Sequence, residues 1–199
     1  MSSPDSESAG GGGNLGRVLA LVQRRMPDVV LIDGPSGAGK SRLADRLAAN
    51  WPSSPLPTLV RMDDIYPGWD GLQAGSEHVN RYLLQPRSMG EGSTAARWSR
   101  FDWTAPAGEP EQWQEVDPAR PLIVEGCGTL SRANASLATV RIWLDADDQV
   151  RKRRALDRDH GGFDAHWDRW QAQFERFVQR ERPMERADLI LDGSAEQAS

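Results

Sequence analysis

The eight residues Gly34-Pro-Ser-Gly-Ala-Gly-Lys-Ser41 constrain this chain more than any other stretch. They satisfy G-x-x-x-x-G-K-[ST], follow the apolar run DVVLID (28–33) and open a helical pattern over 40–50, which is the strand, loop and helix context that the motif requires. The four fixed positions alone would arise by chance in roughly one chain of this size in a hundred. Glycines at Gly34, Gly37 and Gly39 let the backbone wrap closely, so that successive N–H groups around Ser36 and Ala38, and the positive end of a helix, face the β- and γ-phosphates of a nucleotide. Lys40 adds a mobile charge, Ser41 offers a hydroxyl to Mg²⁺, and Arg42 follows them into the helix. Lysine is otherwise confined to Lys152, with arginine supplying the remaining positive charge.

Four further apolar runs read as strands: TLVRM (58–62), PLIVEG (121–126), VRIWLD (140–145) and ADLILDG (187–193). Helical patterns alternate with them at 40–50, 147–158 and 164–181, the last with Trp167, Trp170, Phe174, Phe177 and Val178 on one face. The alternation predicts an α/β domain with a five-stranded parallel sheet. Residues 63–120 are too long for an ordinary connection and read as an insertion over the strand ends, where acceptors bind. The Ser/Gly-rich start reads as a disordered tail over 1–16, followed by one catalytic domain over 17–193 and a short tail over 194–199.

Composition excludes several classes. With Lys+Arg 24 against Asp+Glu 29 the net charge is -5, so the broad positive footprint of a nucleic-acid binder is missing. A single cysteine, Cys127, rules out an internal disulfide and fits a reducing, cytoplasmic setting; His78, His160 and His166 have no metal-site spacing. No segment reaches the roughly 18 apolar residues of a membrane span, and the start has no signal-peptide pattern. The Asn-Lys-x-Asp string of guanine-specific GTPases is absent, which leaves small-molecule kinases as the leading class.

Asp63 follows the second strand and is expected beside the phosphate-loop strand, where a carboxylate can orient an acceptor hydroxyl and take its proton. Glu125 ends the third strand and can hold Mg²⁺ directly or through water, with Ser41 and Asp63. Arg151, Arg154 and Arg158, at i, i+3 and i+7, read either as a solvated face with helix ion pairs or as an arginine-rich lid over about 148–165, in which one or two of them close guanidinium forks on phosphate oxygens. On the acceptor side, Trp69, Trp98 and Trp103 can stack on a planar group, whereas Arg81, Arg97 or Arg100 can hold an anionic one. Asp70 reads equally as a sugar ligand or a turn residue, and LDGSAEQ (191–197) as a border for the adenine.

The order GxxxxGKS, Asp-x-x-Tyr, Phe-Asp, Glu-Gly, Asp-Ala-Asp, arginine-rich helix and Ala-Asp-Leu-Ile resembles the uridine kinase and phosphoribulokinase-like branch of P-loop kinases, over most of 28–193. The resemblance implies strand order 2-3-1-4-5, ATP and Mg²⁺ as cofactors and a small-molecule phosphoryl acceptor, most readily a pyrimidine nucleoside. It makes Asp63 the catalytic base, Tyr66 a substrate-side tyrosine, Glu125 a magnesium-associated glutamate, and Phe101-Asp102 the aromatic-Asp acceptor motif. The chain departs from the pattern in the lid, where RRALDRD carries one extra residue and HGGF (160–163) replaces an arginine pair. It departs again in WTAPAG (103–108), which lacks a nucleoside-side histidine. A nucleoside monophosphate kinase, a sugar or antibiotic kinase, and a nucleotide-binding regulator without turnover remain alternatives.

Overall fold

The computed structural model describes residues 13–90, 94–103, 112–158 and 161–194. Five parallel strands form the central sheet: β1 (Val29–Asp33), β2 (Thr58–Arg61), β5 (Leu122–Glu125), β6 (Val140–Asp145) and β7 (Leu189–Asp192), in the order β2-β5-β1-β6-β7. Counting only these five, the order is 2-3-1-4-5, as the resemblance implies. One detail differs from the reading of the residues: β5 pairs with both β1 and β2, so Asp63 lies two strands from the glycine-loop strand and Glu125 stands between them.

Every residue of β1 is buried, because helices cover both faces of the sheet. The period of two sends Val30 and Ile32 to one face, where they meet Val18 and Val22 of α1 (Asn14–Arg25) and Leu43 and Leu47 of α2 (Lys40–Ala49). Val29 and Leu31 face the other way, toward Leu72 of α3 (Leu72–His78) and Phe174 and Phe177 of α7 (Trp167–Glu181). Trp143 of β6 stacks on Phe174 with ring centres 6.0 Å apart. Helix α1 begins inside the stretch read as a tail: Leu15, Val18, Leu19 and Val22 recur at helical spacing and bury one side. Residues 1–12 and 195–199 of the two expected tails lie outside the described residues.

The interval 63–120 carries its own structure. Helix α3 runs through a wider π turn (Val79–Leu84) into α4 (Gln85–Met89), and β3 (Arg97–Arg100) pairs antiparallel with β4 (Gln112–Glu115). Val79, Leu83, Leu84 and Trp98 tie this insertion to the sheet's core. After β6, α5 (Arg132–Ala135) having preceded it, the chain forms α6 (Asp148–Arg158) and then α7. No described helix is long and apolar enough to cross a membrane.

Phe177 is 1% exposed and central to the α7 face. Phe177→Ala is expected to cost about 3–5 kcal/mol through lost burial and a residual cavity. Urea denaturation checks this, and a loss below about 1 kcal/mol would contradict the packing described.

Candidate active site

The strand β1 ends in Asp33, and the chain turns at once into the glycine loop. Gly34 takes φ +146, and a Cβ there would lie 2.0 Å from the Leu144 carbonyl oxygen; at Gly37, φ +79, it would lie 1.9 Å from that of Arg151. Only glycine fits both places. The loop's last residue, Gly39, has φ +100 and leads into α2, whose first-turn N–H groups face outward from the sheet's carboxyl edge.

Ser36, Gly37, Ala38, Gly39, Lys40, Ser41 and Arg42 line a cavity of about 320 Å³. Opposite them stand Asp63, Glu125, Gly126 and Cys127, with Arg154, Arg158 and Gly193 closing another side. Lys40 is buried and donates through Nζ to the Pro35 carbonyl oxygen at 2.9 Å, with Cys127 Sγ 3.6 Å away. Ser41 hydrogen-bonds Glu125. Glu125 is 3% exposed; burial raises its pKa, while Lys40, the Ser41 hydroxyl and Arg61, 3.6 Å away, oppose the rise and Asp63 adds to it.

Two of the residues read as nucleotide-binding do not reach this cavity. Gly34 shapes the loop's entry from outside the lining. Arg151 is buried, bonded by Nε to Asp148 at 2.8 Å and by Nη1 to Gln171 at 3.0 Å, with its guanidinium 5.6 Å over Trp167. Its partners on α7 and in its own first turn take it out of the lid that helical spacing assigned it. Arg154 lines the cavity and grips the loop after β7, donating to the carbonyls of Gly193 and Ser194 at 2.8 Å each.

A second cavity of about 300 Å³ adjoins the first and shares Ser36, Asp63 and Arg158 with it. Its far wall is aromatic: Tyr66, Trp69, Trp103, Phe163 and Trp170, beside Gly162. Tyr66 and Trp69, both read from the sequence as acceptor-side residues, line this cavity. Tyr66 is 2% exposed, its hydroxyl donates to the Cys127 carbonyl at 2.7 Å, and burial raises its pKa far above the ordinary phenol range. Arg81, Phe101 and Asp102 line neither cavity. Arg81 sits over Tyr82 on a separate groove, and Phe101 meets Trp103 edge-on while its N–H bonds the Asp64 carbonyl. Asp70 pairs with Arg169 of α7. His160 and residues 104–108 lie outside the described residues.

Sequence reasoning missed Asp33 and the placement of Cys127. Asp33 is fully buried; its Oδ1 accepts from the N–H groups of Gly34 (2.7 Å) and Gly128 (3.0 Å), and its Oδ2 from that of Leu130 (2.7 Å). The carboxylate thereby clamps the glycine loop to the segment after β5. Burial raises its pKa to about 6, opposed by the hydrogen bonds from Leu130 and Gly34, by Lys40 and by the bond from Gly128. The available signal was an acid ending an otherwise apolar strand. Cys127 lies between them, its Sγ 3.5 Å from Ser36 Oγ and 3.3 Å from the Gly34 carbonyl oxygen. Among the described residues no cluster of His, Cys, Asp and Glu forms a ready metal cage.

No protein-family model matches the chain, and no curated protein matches it. Among solved structures, one described as that of a possible uridine kinase from Bacillus stearothermophilus is similar with a TM-score of 0.53 and 16% identity. The match covers 82% of this chain and 88% of that one. An uncharacterized protein from Eubacterium ventriosum aligns over 82% of this chain and 86% of that one at 10% identity, and its TM-score of 0.44 adds nothing to the assignment. The first likeness shows the fold alone: a five-stranded parallel α/β sheet with helices on both faces.

Because the pKa of Asp33 is raised in the fold, the folded protein holds a proton that the unfolded chain has released between about pH 4 and 6. Its contribution is fully present below the ordinary value of 3.8 and is lost as pH rises through about 6. The gap corresponds to roughly 3 kcal/mol. Asp33→Asn is expected to remove this falling component from a stability-versus-pH profile obtained by urea denaturation; equal slopes in both proteins would contradict it.

Proposed function

We propose that this chain is an ATP- and Mg²⁺-dependent kinase that transfers the γ-phosphoryl group to a hydroxyl of a small metabolite, a nucleoside being the favoured class. The observation that carries the reading is the position of Asp63, which lines both cavities at the boundary between the glycine loop and the aromatic wall. A protein that merely held Mg²⁺ and a nucleotide would have no need of an acid that also lines the aromatic cavity.

The residues fit the groups the reading calls for. The glycine loop is a cradle that Cβ atoms would fill, and its N–H groups and Lys40 suit phosphate oxygens. Ser41, Glu125 and Asp63 present hard oxygen donors on one cavity and would hold Mg²⁺. The ion, when bound, supplies charge neutralisation on the phosphates.

In this reading Asp63 accepts a hydrogen bond from the acceptor hydroxyl and fixes its oxygen toward the γ-phosphorus. The new O–P bond forms as the bridging O–P bond of ATP breaks, ADP departs, and the hydroxyl proton passes to Asp63. Such transfer depends on positioning and charge neutralisation more than on base strength, so an exposed carboxylate suffices. Lys40, Arg154 and Arg158 neutralise charge that develops on the phosphoryl oxygens. Arg154, already anchored on Gly193 and Ser194, links the lid helix to the loop that borders the nucleotide end of the cavity.

Asp63→Asn is expected to lower turnover by about 10²–10⁴-fold while ATP affinity stays within about threefold of the parent protein. Steady-state ADP release with a nucleoside acceptor, together with calorimetric ATP titration, checks both. Undiminished turnover in the variant would remove Asp63 from the chemistry.

A further inference from the structure

Strand β2 ends in an arginine that no step of the proposed transfer uses. The parallel register sets Arg61 beside Glu125, the last residue of β5 and one of the acids that would hold Mg²⁺. Nη1 of Arg61 lies 3.6 Å from Glu125 Oε1, an ion-pair distance rather than a tight hydrogen bond, whereas Nη2 meets Asp45 Oδ1 at 2.6 Å. Asp45 follows Ser41 by four residues on α2, so both side chains leave the same face of that helix. Ser41 in turn hydrogen-bonds Glu125. Four side chains therefore close a ring, Ser41 to Glu125 to Arg61 to Asp45, with one turn of α2 joining its ends.

Folding stability does not account for this ring. The side chains of Arg61 and Asp45 are 35% and 56% exposed, and an ion pair so open to water contributes little, because it is screened and two long side chains lose freedom to make it. Both residues also line neither cavity. What the ring constrains is the buried Glu125 carboxylate, drawn toward α2 from two directions. Groups that orient a metal-binding side chain govern metal affinity nearly as strongly as the side chain itself. A cation beside such an acid also repels an incoming ion, which acts in the opposite direction. Here Asp45 offsets the guanidinium charge and solvent screens it, so orientation outweighs repulsion.

We propose that Arg61, braced by Asp45, is a positioning residue for the metal end of the site: it holds the Glu125 carboxylate toward Ser41, where the two oxygen donors would take a divalent ion together. The inference rests on the reading of Glu125 as a metal ligand.

The test titrates Mn²⁺, a paramagnetic substitute for Mg²⁺, into the intact protein loaded with a non-hydrolysable ATP analogue, followed by electron paramagnetic resonance. Arg61→Met keeps the apolar stem and removes the charge and the donors. It is expected to weaken Mn²⁺ by about tenfold or more, and Asp45→Asn, which leaves Arg61 without its brace, by about threefold. The analogue titrated without metal is expected to bind every variant as it binds the parent. Glu125→Gln is the reference and is expected to weaken Mn²⁺ at least as much as Arg61→Met. Equal or tighter Mn²⁺ binding in Arg61→Met, with Glu125→Gln weakened, overturns the inference and leaves the metal reading standing. Unweakened binding in Glu125→Gln overturns the metal role of Glu125 and that of Arg61 with it. Parent-like Mn²⁺ binding in Asp45→Asn overturns the brace, and loss of the analogue itself in Arg61→Met would make Arg61 a support of the fold instead.

Discussion

Three backbone N–H groups converging on the buried carboxyl of Asp33 hold the site together. One belongs to the glycine loop and two to the segment after β5, so a single side chain sets the distance between that loop and the stretch that carries Glu125, Gly126 and Cys127. The arrangement has a cost, since burial raises the Asp33 pKa to about 6 despite the hydrogen bonds. A buried acid that stabilises a loop at the expense of its own desolvation is typical of the rule-breaking found at functional sites.

From that clamp the two cavities follow. Lys40 reaches across the loop to Pro35 and Cys127, Glu125 receives the Ser41 hydroxyl, and Tyr66 bonds the Cys127 carbonyl, so the glycine-loop cavity and the aromatic cavity meet around one short segment of chain. The insertion between β2 and β5 adds the aromatic wall, and α7 braces it through Trp170 and the Asp70–Arg169 pair. The sheet supplies rigidity, whereas the chemical choices lie in what surrounds its carboxyl edge.

Much of this was legible beforehand. Apolar runs of β-branched residues marked all five sheet strands, and the glycine motif fixed where the first one turns. Asp63 and Glu125 could be placed because each directly follows or ends such a run. Asp33 could not, since its partners Gly128 and Leu130 are backbone groups far along the chain and leave no side-chain pattern. Helical spacing put Arg151, Arg154 and Arg158 together, but Asp148, Gln171 and Trp167 claim the first, a choice that depends on how α7 packs. Phe101 and Asp102 match the resemblance as a motif, yet the end of β3 sets them beside Asp64 and Trp103, outside both cavities.

The central claim is that Asp63 stands where a phosphoryl group changes hands. Following the γ-phosphorus of labelled ATP in a single turnover with Mg²⁺ and a nucleoside tests it most directly. The account predicts that the label appears in a phosphate ester of the acceptor, one equivalent for each ADP formed; label that stays in ATP, or emerges only as inorganic phosphate, would contradict it.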